Sequence, residues 1–306
     1  MLLYKCKFIV CMLINSDLHQ LRSDWGESYY PIVPGHEIAG IVTAVGDDVG
    51  NFSVGDKVGV GCMVNSCLDC ALCKDGKQQY CQNDCVWTYN SVDMFGDMDI
   101  TYGGYSTHIV VREEFVVTIP DEIELPHAAP LLCAGITLYS PINKFCNSGE
   151  IMTVGIVGFG GLGHMGVKIL KELGHKIVVI SSSEKKKERA MAAGAESYFV
   201  VNSSTDLPSE AVGMCDVVLD TVSVNRDMSK YFKAVRNEGT YCILGLPPNP
   251  LEVEPFDLVA KRLNLTGSLI GGMEETEEML NFCAHHNIRP DIEIISSDQV
   301  TYQFNQ

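Results

Sequence analysis

The chain has 306 residues, 46% of them apolar and 20% charged, a composition typical of a globular protein long enough for two domains. Its formal net charge of −17 argues against binding to the phosphate backbone of a nucleic acid. No apolar run reaches the ~18 residues that a membrane-spanning helix needs, so no membrane association is expected. The 13 cysteines are odd in number and spread along the chain. They favour metal ligands and free thiols in a reducing, cytoplasmic compartment over a disulfide framework.

The first stretch, MLLYKCKFIVCMLI, is apolar and superficially similar to a secretion signal. Its apolar core after Lys7 is short, however, and no small-residue cleavage pattern follows it. We therefore expect a buried first strand. Up to about residue 120, further Val/Ile-rich runs such as HEIAGIVTAVG and VGDKVGVG are bounded by Gly, Pro and Asp, a pattern typical of a β-rich domain.

A dense cysteine motif lies within this β-rich part. The stretch NSCLDCALCKDGKQQYC has the spacing C-x2-C-x2-C-x7-C and contains Cys67, Cys70, Cys73 and Cys81. Four thiolates this close in sequence can surround one Zn²⁺ tetrahedrally and fill its coordination, which predicts a structural zinc site. The loop has few apolar residues, so the metal is expected to supply its folding energy. An iron–sulfur cluster, which uses the same ligands, is the first alternative, and four free thiols are the second.

From about residue 151 onwards, apolar strands alternate with helical stretches. The strand-like MTVGIVGFG precedes the helical GHMGVKILKEL, and KIVVI precedes SEKKKERAMAAG, while CDVVLDTV and TYCILGL are later strand candidates. This alternation is typical of βαβ units around a parallel sheet. The fold class is therefore predicted to be α/β, with a β-rich domain followed by a doubly wound dinucleotide-binding domain.

A glycine motif lies between the first predicted strand and helix of this second part. In VGFGGLGHMG, the residues Gly158, Gly160 and Gly163 form G-x-G-x-x-G, with Gly161 and Leu162 between the last two. Glycines at these places permit a tight turn and close approach of the backbone to a pyrophosphate, which the helix N-terminus then faces. The motif predicts dinucleotide binding, and a glycine-rich turn without a ligand is the alternative.

The end of the next strand distinguishes NAD from NADP. NAD-binding domains usually carry an acidic residue here that binds the ribose 2′-OH. In this chain, KIVVI is followed by Ser181, Ser182 and Ser183, then by Glu184 and a lysine run that includes Lys186. Hydroxyls and cations suit a 2′-phosphate, which an acid at the strand end would repel, so we predict NADP(H). A lysine run that is only a solvated helix start is the alternative.

Taken together, these motifs resemble one known family. The stretch GHEIAGIVTAVGDDV has the pattern G-H-E-x2-G-x5-G-x2-V of the zinc-dependent, medium-chain alcohol dehydrogenases, and the four-cysteine motif and glycine loop follow in that family's order. The stretches SDLHQLRSDWG, YPIVPGHEI, TYGGYSTHIVV, APLLCAGITLYSP, GFGGLGHMGVK and GSLIGGMEETEEML resemble the cinnamyl alcohol dehydrogenase group more closely. The resemblance covers about residues 11–297, nearly the whole chain.

The resemblance implies the domain organisation. A GroES-like catalytic domain is expected over residues 1–133, with residues 272–306 returning to it, and a Rossmann NADP-binding domain over residues 134–271. A catalytic zinc is expected in the cleft between the two domains, and a homodimer is expected through the edge strands of the nucleotide domain. Family members also extend beyond both ends of this sequence, so the chain is expected to be truncated at each end.

The resemblance also implies the ligands of the catalytic zinc. They correspond to His36, Glu37 and Cys133, of which Glu37 is expected to bind the metal when neither water nor substrate does. Asp17 corresponds to a carboxylate that orients the ligand histidine. Outside this family pattern, His36 would be an ordinary satisfied histidine and Cys133 an ordinary buried thiol.

The implied reaction is hydride transfer between NADP(H) and a primary alcohol or aldehyde, of aromatic or allylic type. Zinc acts as a Lewis acid on the substrate oxygen, and the cofactor carries out the redox step. Ser16 corresponds to the hydroxyl that relays the substrate's proton, and His19 extends this relay towards solvent. The family's pocket is apolar, and its lining is assigned here to Trp87, Ile270 and Met273, each of which is equally compatible with plain core.

One ligand position departs from the family pattern. The family motif C-x-x-C-H-T-D-L-H supplies a zinc thiolate at its second cysteine, whereas the aligned stretch CMLINSDLH has Ile14 there. Isoleucine has no lone pair to donate, which leaves three interpretations. Zinc remains on the other three ligands, which is a known catalytic number; Cys11 moves in to replace the missing thiolate; or the metal and the activity are both lost.

The leading hypothesis is therefore an NADP-dependent zinc alcohol dehydrogenase, without a choice of the particular alcohol. A catalytically silent NADP-binding protein that acts as a sensor or scaffold is the alternative from another class. A zinc-independent reductase of the same superfamily is a third hypothesis, against which the retained His36, Glu37 and Cys133 argue.

Overall fold

The structure is a computed structural model that describes residues 4–96 and 99–300. By its internal contacts, the chain divides into two compact units. The first comprises Met1–Ile136 and Ile270–Gln306, and the second comprises Thr137–Leu269. None of the helices in the described part of the chain has the length and apolar character that a bilayer crossing requires.

The first unit is built on antiparallel strands. They are β1 (Tyr4–Cys11), β2 (Ile38–Val45), β3 (Lys57–Val60), β4 (Met63–Asn65), β5 (Val86–Trp87), β6 (His108–Val111) and β7 (Val117–Thr118). Five of them form one sheet in the order β6-β1-β2-β3-β7, and β4 pairs with β5. The Val/Ile-rich runs of the sequence thus form the predicted strands.

The second unit contains a six-stranded parallel sheet. Its strands are β8 (Thr153–Val157), β9 (Lys176–Ser181), β10 (Ser197–Val200), β11 (Cys215–Asp220), β12 (Val235–Ile243) and β13 (Asn264–Gly267). They lie in the order β10-β9-β8-β11-β12-β13, so the winding direction reverses between β8 and β11. In doubly wound folds, ligands bind at the carboxyl ends of the strands beside such a reversal. The predicted parallel sheet is confirmed.

Helices connect and cover these strands. They are α1 (Asn15–Leu21), α2 (Ala71–Lys74), α3 (Leu125–Ala128), α4 (Ala134–Cys146), α5 (Gly161–Glu172), α6 (Lys187–Ala193), α7 (Ser229–Phe232), α8 (Pro255–Val259) and α9 (Met273–His285). Short 3₁₀ turns include Ala129–Leu132 and Glu184–Lys186.

Helix α1 interrupts the β pattern that the sequence predicts before residue 120. Its start is explained by Asp17, whose carboxylate accepts a hydrogen bond from the backbone N–H of Ile14 at 3.3 Å. A carboxylate at the third helical residue that accepts from the backbone N–H of the N-cap residue stabilises a helix start in this way. The helix thereby places Ser16, Asp17 and His19 on one short element.

Candidate functional site

Two groups of histidine and cysteine ligand atoms lie close enough to share a metal ion within the described part of the chain. One consists of His36, Cys62 and Cys133, whose ligand atoms all lie within 4.8 Å of one another, and we call it the inner group. The other consists of Cys67, Cys70, Cys73 and Cys81, which meet the same limit, and we call it the cysteine lobe. Both groups belong to the first unit.

The inner group is assembled from three distant segments. His36 immediately precedes Glu37 and strand β2, Cys62 lies in the connection from β3 to β4, and Cys133 directly precedes helix α4. His36 and Cys133 are buried and Cys62 is half-buried. The structure thus brings together two of the ligands that the resemblance implied and adds Cys62, which sequence reasoning missed. No spacing signal relates Cys62 to the other two.

Asp17 orients the imidazole of His36. The Asp17 carboxylate is fully buried, and its Oδ1 lies 3.2 Å from His36 Nδ1. The same carboxylate accepts hydrogen bonds from the Tyr105 hydroxyl at 2.9 Å and the Gly35 N–H at 3.1 Å. Burial alone would raise the pKa of Asp17, but the hydrogen bonds from His36 and Tyr105 outweigh it and lower the pKa. An ionised Asp17 only accepts hydrogen bonds, so His36 Nδ1 carries the proton and Nε2 keeps its lone pair for a metal.

Glu37 is fully buried and has one carboxylate oxygen without a hydrogen-bond partner. Its Oε1 accepts a hydrogen bond from the Ala134 N–H at 3.2 Å, whereas Oε2 is unpaired within the described residues. Glu37 does not belong to the group within 4.8 Å. Burial raises its pKa. An unpaired buried carboxylate oxygen is costly, and a nearby cation would offset that cost.

The donor atoms of the inner group suit a bound cation, although without one the surroundings favour a protonated thiol and a protonated imidazole. The hydrogen bond with Cys62, together with burial, raises the pKa of the Cys133 thiol. Burial would lower the pKa of His36, but Cys133 and the hydrogen bond to Asp17 outweigh it and raise the pKa. A divalent metal stabilises thiolates and reverses this protonation. One imidazole and two thiols are also the donor atoms that Zn²⁺ prefers, so the residues fit the metal.

The other predicted residues of helix α1 have different surroundings. The Nδ1 atom of His19 lies 2.7 Å from the Asp24 carboxylate, and its ring stacks on Trp25 at a centroid distance of 4.9 Å. Ser16 is half-buried on the same helix. Cys11 is not part of the inner group. Its Sγ lies 3.8 Å from the Met12 carbonyl oxygen.

All four thiols of the cysteine lobe come from one short segment, residues 67–81. Cys81 Sγ lies 3.3 Å from Cys67 Sγ, and Cys67 Sγ lies 3.9 Å from Cys73 Sγ. The Cys70 N–H donates to Cys67 Sγ at 3.3 Å. Hydrogen bonds from the backbone of Asp69 and Cys70 lower the pKa of Cys67 to about 6. These features fit a four-thiolate metal site.

The glycine motif of the second unit forms a turn between β8 and α5. A Cβ on Gly163 would lie 2.1 Å from the Gly158 carbonyl oxygen, and Gly158 has a φ of +88°. Both positions therefore require glycine. A Cβ on Gly160 or Gly161 would meet nothing within 4 Å, so open space lies beside the start of α5. Leu162 is half-buried in the first turn of that helix. This arrangement leaves room for a pyrophosphate at the helix N-terminus.

The predicted 2′-phosphate residues lie at the end of β9 and directly after it. Ser181 is buried, Ser182 and Lys186 are exposed, and Ser183 is half-buried. The acidic residue of this stretch, Glu184, is ion-paired with Lys187 at 2.7 Å.

The three residues predicted to line the substrate pocket do not all line the same recess. Ile270 and Met273 line one small recess in the first unit, and Cys62 lines the same recess. Trp87 is not among the residues that line it; it lies in β5 and pairs with Met63 of β4.

The two units define the class of the protein: a GroES-like domain combined with a Rossmann-like, doubly wound nucleotide domain. The family model for the alcohol dehydrogenase GroES-like domain matches residues 5–121, and that for zinc-binding dehydrogenases matches residues 161–285. The chain belongs to the medium-chain, zinc-dependent alcohol dehydrogenase family, in its cinnamyl alcohol dehydrogenase-like group.

Individual relatives support this assignment. The chain is 47% identical over 295 residues to NADP-dependent alcohol dehydrogenase C 1 of Mycolicibacterium smegmatis, covering 96% of this chain and 83% of the relative. It is 47% identical over 294 residues to probable cinnamyl alcohol dehydrogenase 3 of Oryza sativa subsp. japonica, covering 96% and 80%.

Solved structures are similar as well. A cinnamyl alcohol dehydrogenase from Sorghum bicolor superposes with a TM-score of 0.95 at 36% identity, covering 99% of this chain and 86% of that chain. The CAD from Helicobacter pylori, solved in complex with NADP(H), has a TM-score of 0.91 at 36% identity, with the same coverage of 99% and 86%.

Proposed function

We propose that this alcohol dehydrogenase uses NADP(H) and a catalytic zinc to interconvert a primary alcohol and its aldehyde, with an aromatic or allylic substrate of the cinnamyl type. The observation that carries the proposal is the buried pairing of His36 with Cys133, with Asp17 holding the imidazole. Relatives at 47% identity carry the names NADP-dependent alcohol dehydrogenase and probable cinnamyl alcohol dehydrogenase, which supports the cofactor and the substrate class.

The residues of the inner group would hold the metal. His36 and Cys133 supply donor atoms, and Glu37 contributes a carboxylate oxygen when the metal lacks another ligand. Zinc bound there supplies Lewis acidity that polarises the substrate oxygen. Asp17 keeps His36 in the tautomer that leaves Nε2 unprotonated.

Two side chains of helix α1, Ser16 and His19, relay the proton of the alcohol. Ser16 and His19 are three residues apart on this helix and therefore lie on the same face. Ser16 accepts the proton and releases its own hydroxyl proton to His19, which passes it on towards solvent. The hydrogen bond from His19 to Asp24 keeps the imidazole in place for this step.

The nucleotide is held by the second unit. The turn at Gly158, Gly160, Gly161, Leu162 and Gly163 would receive the pyrophosphate, and Ser181, Ser182, Ser183 and Lys186 would surround the 2′-phosphate. The ion pair between Glu184 and Lys187 neutralises the acid that would otherwise repel this phosphate. Replacing Lys186 by Glu should lower kcat/KM for NADPH by ~10- to 100-fold, the value of one charged hydrogen bond, and leave that for NADH unchanged.

The function is tested by measuring zinc content together with NADPH-dependent reduction of cinnamaldehyde. Two zinc ions per chain and reduction of the aldehyde are expected, and Cys133→Ser should abolish the reduction while one zinc remains. A protein that carries two zinc ions but reduces no aromatic or allylic aldehyde with NADPH would contradict the proposal.

A catalytically silent NADP-binding protein remains the second candidate because Ile14 offers no donor atom at a ligand position of the family. It predicts one zinc per chain with NADPH binding retained. Ile14→Cys separates the two candidates: it should raise the zinc content from one to two in the silent protein and leave it at two in the enzyme.

The proposal includes a homodimer and a cytoplasmic location. β13 forms one edge of the parallel sheet within the described residues, so its outer side is available for pairing with a second copy in a homodimer. Light scattering on the purified protein tests this. The many free cysteines suit a reducing, cytoplasmic compartment.

A further inference from the structure

The backbone around Cys62 passes unusually close to the residue that precedes Cys133. A Cβ on Gly61 would lie 2.9 Å from the Leu132 carbonyl oxygen, and a Cβ on Gly59 would lie 2.8 Å from both methyl carbons of Leu132. At Gly61 the contact is with backbone, so only glycine permits the approach, whereas at Gly59 the end of the Leu132 side chain would have to shift. Cys62 Sγ in turn lies 3.9 Å from the Leu132 carbonyl oxygen. Gly61 thus allows the segment that carries Cys62 to pack against the residue before Cys133.

Hydrogen bonds from Thr88 hold the same segment from its other side. The Thr88 N–H donates to the Cys62 carbonyl oxygen at 3.0 Å, and the Thr88 hydroxyl donates to the Gly61 carbonyl oxygen. Thr88 is only 1% exposed. Because both carbonyls are held, the Cys62 backbone has little freedom. The Cys62 Sγ lies within 4.8 Å of the ligand atoms of His36 and Cys133.

We propose that Cys62 supplies the thiolate that Ile14 does not, so that the catalytic metal is held by His36, Cys62 and Cys133. This inference rests on the proposed function for the role of the metal, but the site itself is independent of the reaction. On binding, each thiol releases its proton to solvent and binds the metal as a thiolate. Two thiolates, one neutral imidazole and one divalent cation sum to zero charge, which suits a buried site.

Two other residues that could supply a metal ligand, Cys11 and Glu37, lie outside the inner group. Cys11 is not among the residues whose ligand atoms lie within 4.8 Å of one another; its Sγ packs against Gly35 and Gly104, 2.8 Å and 2.7 Å from where their Cβ atoms would be. Glu37 is outside the group as well. Three protein ligands leave one position of a tetrahedral metal open for substrate. Cys62 also lines the small recess with Ile270 and Met273, so open space adjoins the proposed ligand.

The number of thiolates at each site can be measured with ¹¹³Cd²⁺ as the probe. Each thiolate ligand deshields the cadmium nucleus, so a four-thiolate site and a two-thiolate site give separate resonances. The wild-type protein loaded with ¹¹³Cd²⁺ should show one resonance in the four-thiolate range, from the cysteine lobe, and one in the range of two thiolates and one imidazole. A second resonance in the one-thiolate range, or none beyond that of the lobe, would overturn the proposal without any mutation.

Cys62→Ser provides the second test. Cadmium affinity at the inner group should fall more than ~100-fold, since even residues that only hold a ligand in place contribute ~10- to 100-fold. The resonance of the cysteine lobe should persist and report that the unit is folded. Cys11→Ser is the matched control and should leave both resonances unchanged. Retention of both resonances in Cys62→Ser, or loss of the inner one in Cys11→Ser, would refute the assignment.

The failure of this proposal is distinguishable from failure of the proposed function. If cadmium binds through two thiolates but the zinc protein does not reduce cinnamaldehyde with NADPH, the assignment of Cys62 as a ligand is supported and the proposed dehydrogenase activity is wrong. If the zinc protein reduces the aldehyde and Cys62→Ser keeps its inner metal, the function stands and the assignment of Cys62 falls.

Discussion

The cysteine lobe and the inner group are two potential metal sites of one unit, built in opposite ways. All four thiols of the lobe come from residues 67–81, whereas His36, Cys62 and Cys133 come from three segments far apart in the chain. In the lobe, backbone hydrogen bonds from Asp69 and Cys70 lower the pKa of Cys67 to about 6, whereas burial raises that of Cys73 to about 12. In the inner group, a hydrogen bond and burial raise the pKa of Cys133. The lobe is therefore a local structure, and the inner group depends on the packing of the whole unit.

The largest effect is expected from removing a ligand of the lobe. Cys81→Ser should cost more than about 4 kcal/mol of unfolding free energy, because metal binding supplies the folding energy of a loop with few apolar contacts. Urea unfolding and zinc content are the measurements. Cys85→Ser is the control, since Cys85 lies beside the lobe, with its Sγ 3.7 Å from Met63 Sδ, but is not one of its ligands. Equal stability of the two variants would show that the lobe does not need its metal.

Asp17→Asn should affect the inner group and spare the lobe. The amide cannot accept all the hydrogen bonds that the carboxylate receives from His36, Gly35 and Tyr105, so the imidazole loses its orientation. We expect metal affinity at the inner group to fall by ~10- to 100-fold. A competition titration with a chromophoric chelator measures this. Tyr105→Phe removes one of these hydrogen bonds but keeps the charge and should have a smaller effect; the reverse order would exclude orientation by Asp17.

Gly61→Ala tests whether the inner group depends on close backbone packing. The added methyl group would meet the Leu132 carbonyl oxygen at 2.9 Å and push Cys62 away from Cys133. We expect a loss of about 1–3 kcal/mol in unfolding free energy and weaker metal binding at the inner group only. In the control Gly50→Ala, the methyl group would meet nothing within 4 Å, so little change is expected. If Gly61→Ala leaves the inner metal in place, close packing does not position Cys62.

The smallest effect concerns a histidine outside both groups. Burial lowers the pKa of His175, whose Nδ1 accepts a hydrogen bond from the Met152 N–H at 3.2 Å. The unfolded chain therefore binds more protons at this residue, and stability should decrease as the pH falls below the ordinary histidine pKa of ~6.5. His175→Gln should flatten this part of the pH profile of urea unfolding. An unchanged slope would show that His175 does not contribute to it.

Sequence reasoning predicted the fold and parts of the candidate site. The parallel sheet, the β-rich unit and the family follow from local periodicity and contiguous motifs. Helix α1 was missed, because its start depends on one capping contact of Asp17 rather than on an apolar pattern. Cys62 was missed as well, because it has no partner nearby in sequence and comes close to Cys133 only through the packing of Gly61 against Leu132. The roles of the other site residues stay predictions.

By itself, the sequence determined the features whose physics is local: strand and helix periods, a glycine turn that no other residue can adopt, and four thiols within one loop. Tertiary structure alone decided which thiol accompanies His36 and Cys133, and it turned Asp17 towards the imidazole. The physical reason is that a metal site depends on distances between side-chain atoms. When its ligands are separated by tens of residues, only the packed chain sets those distances.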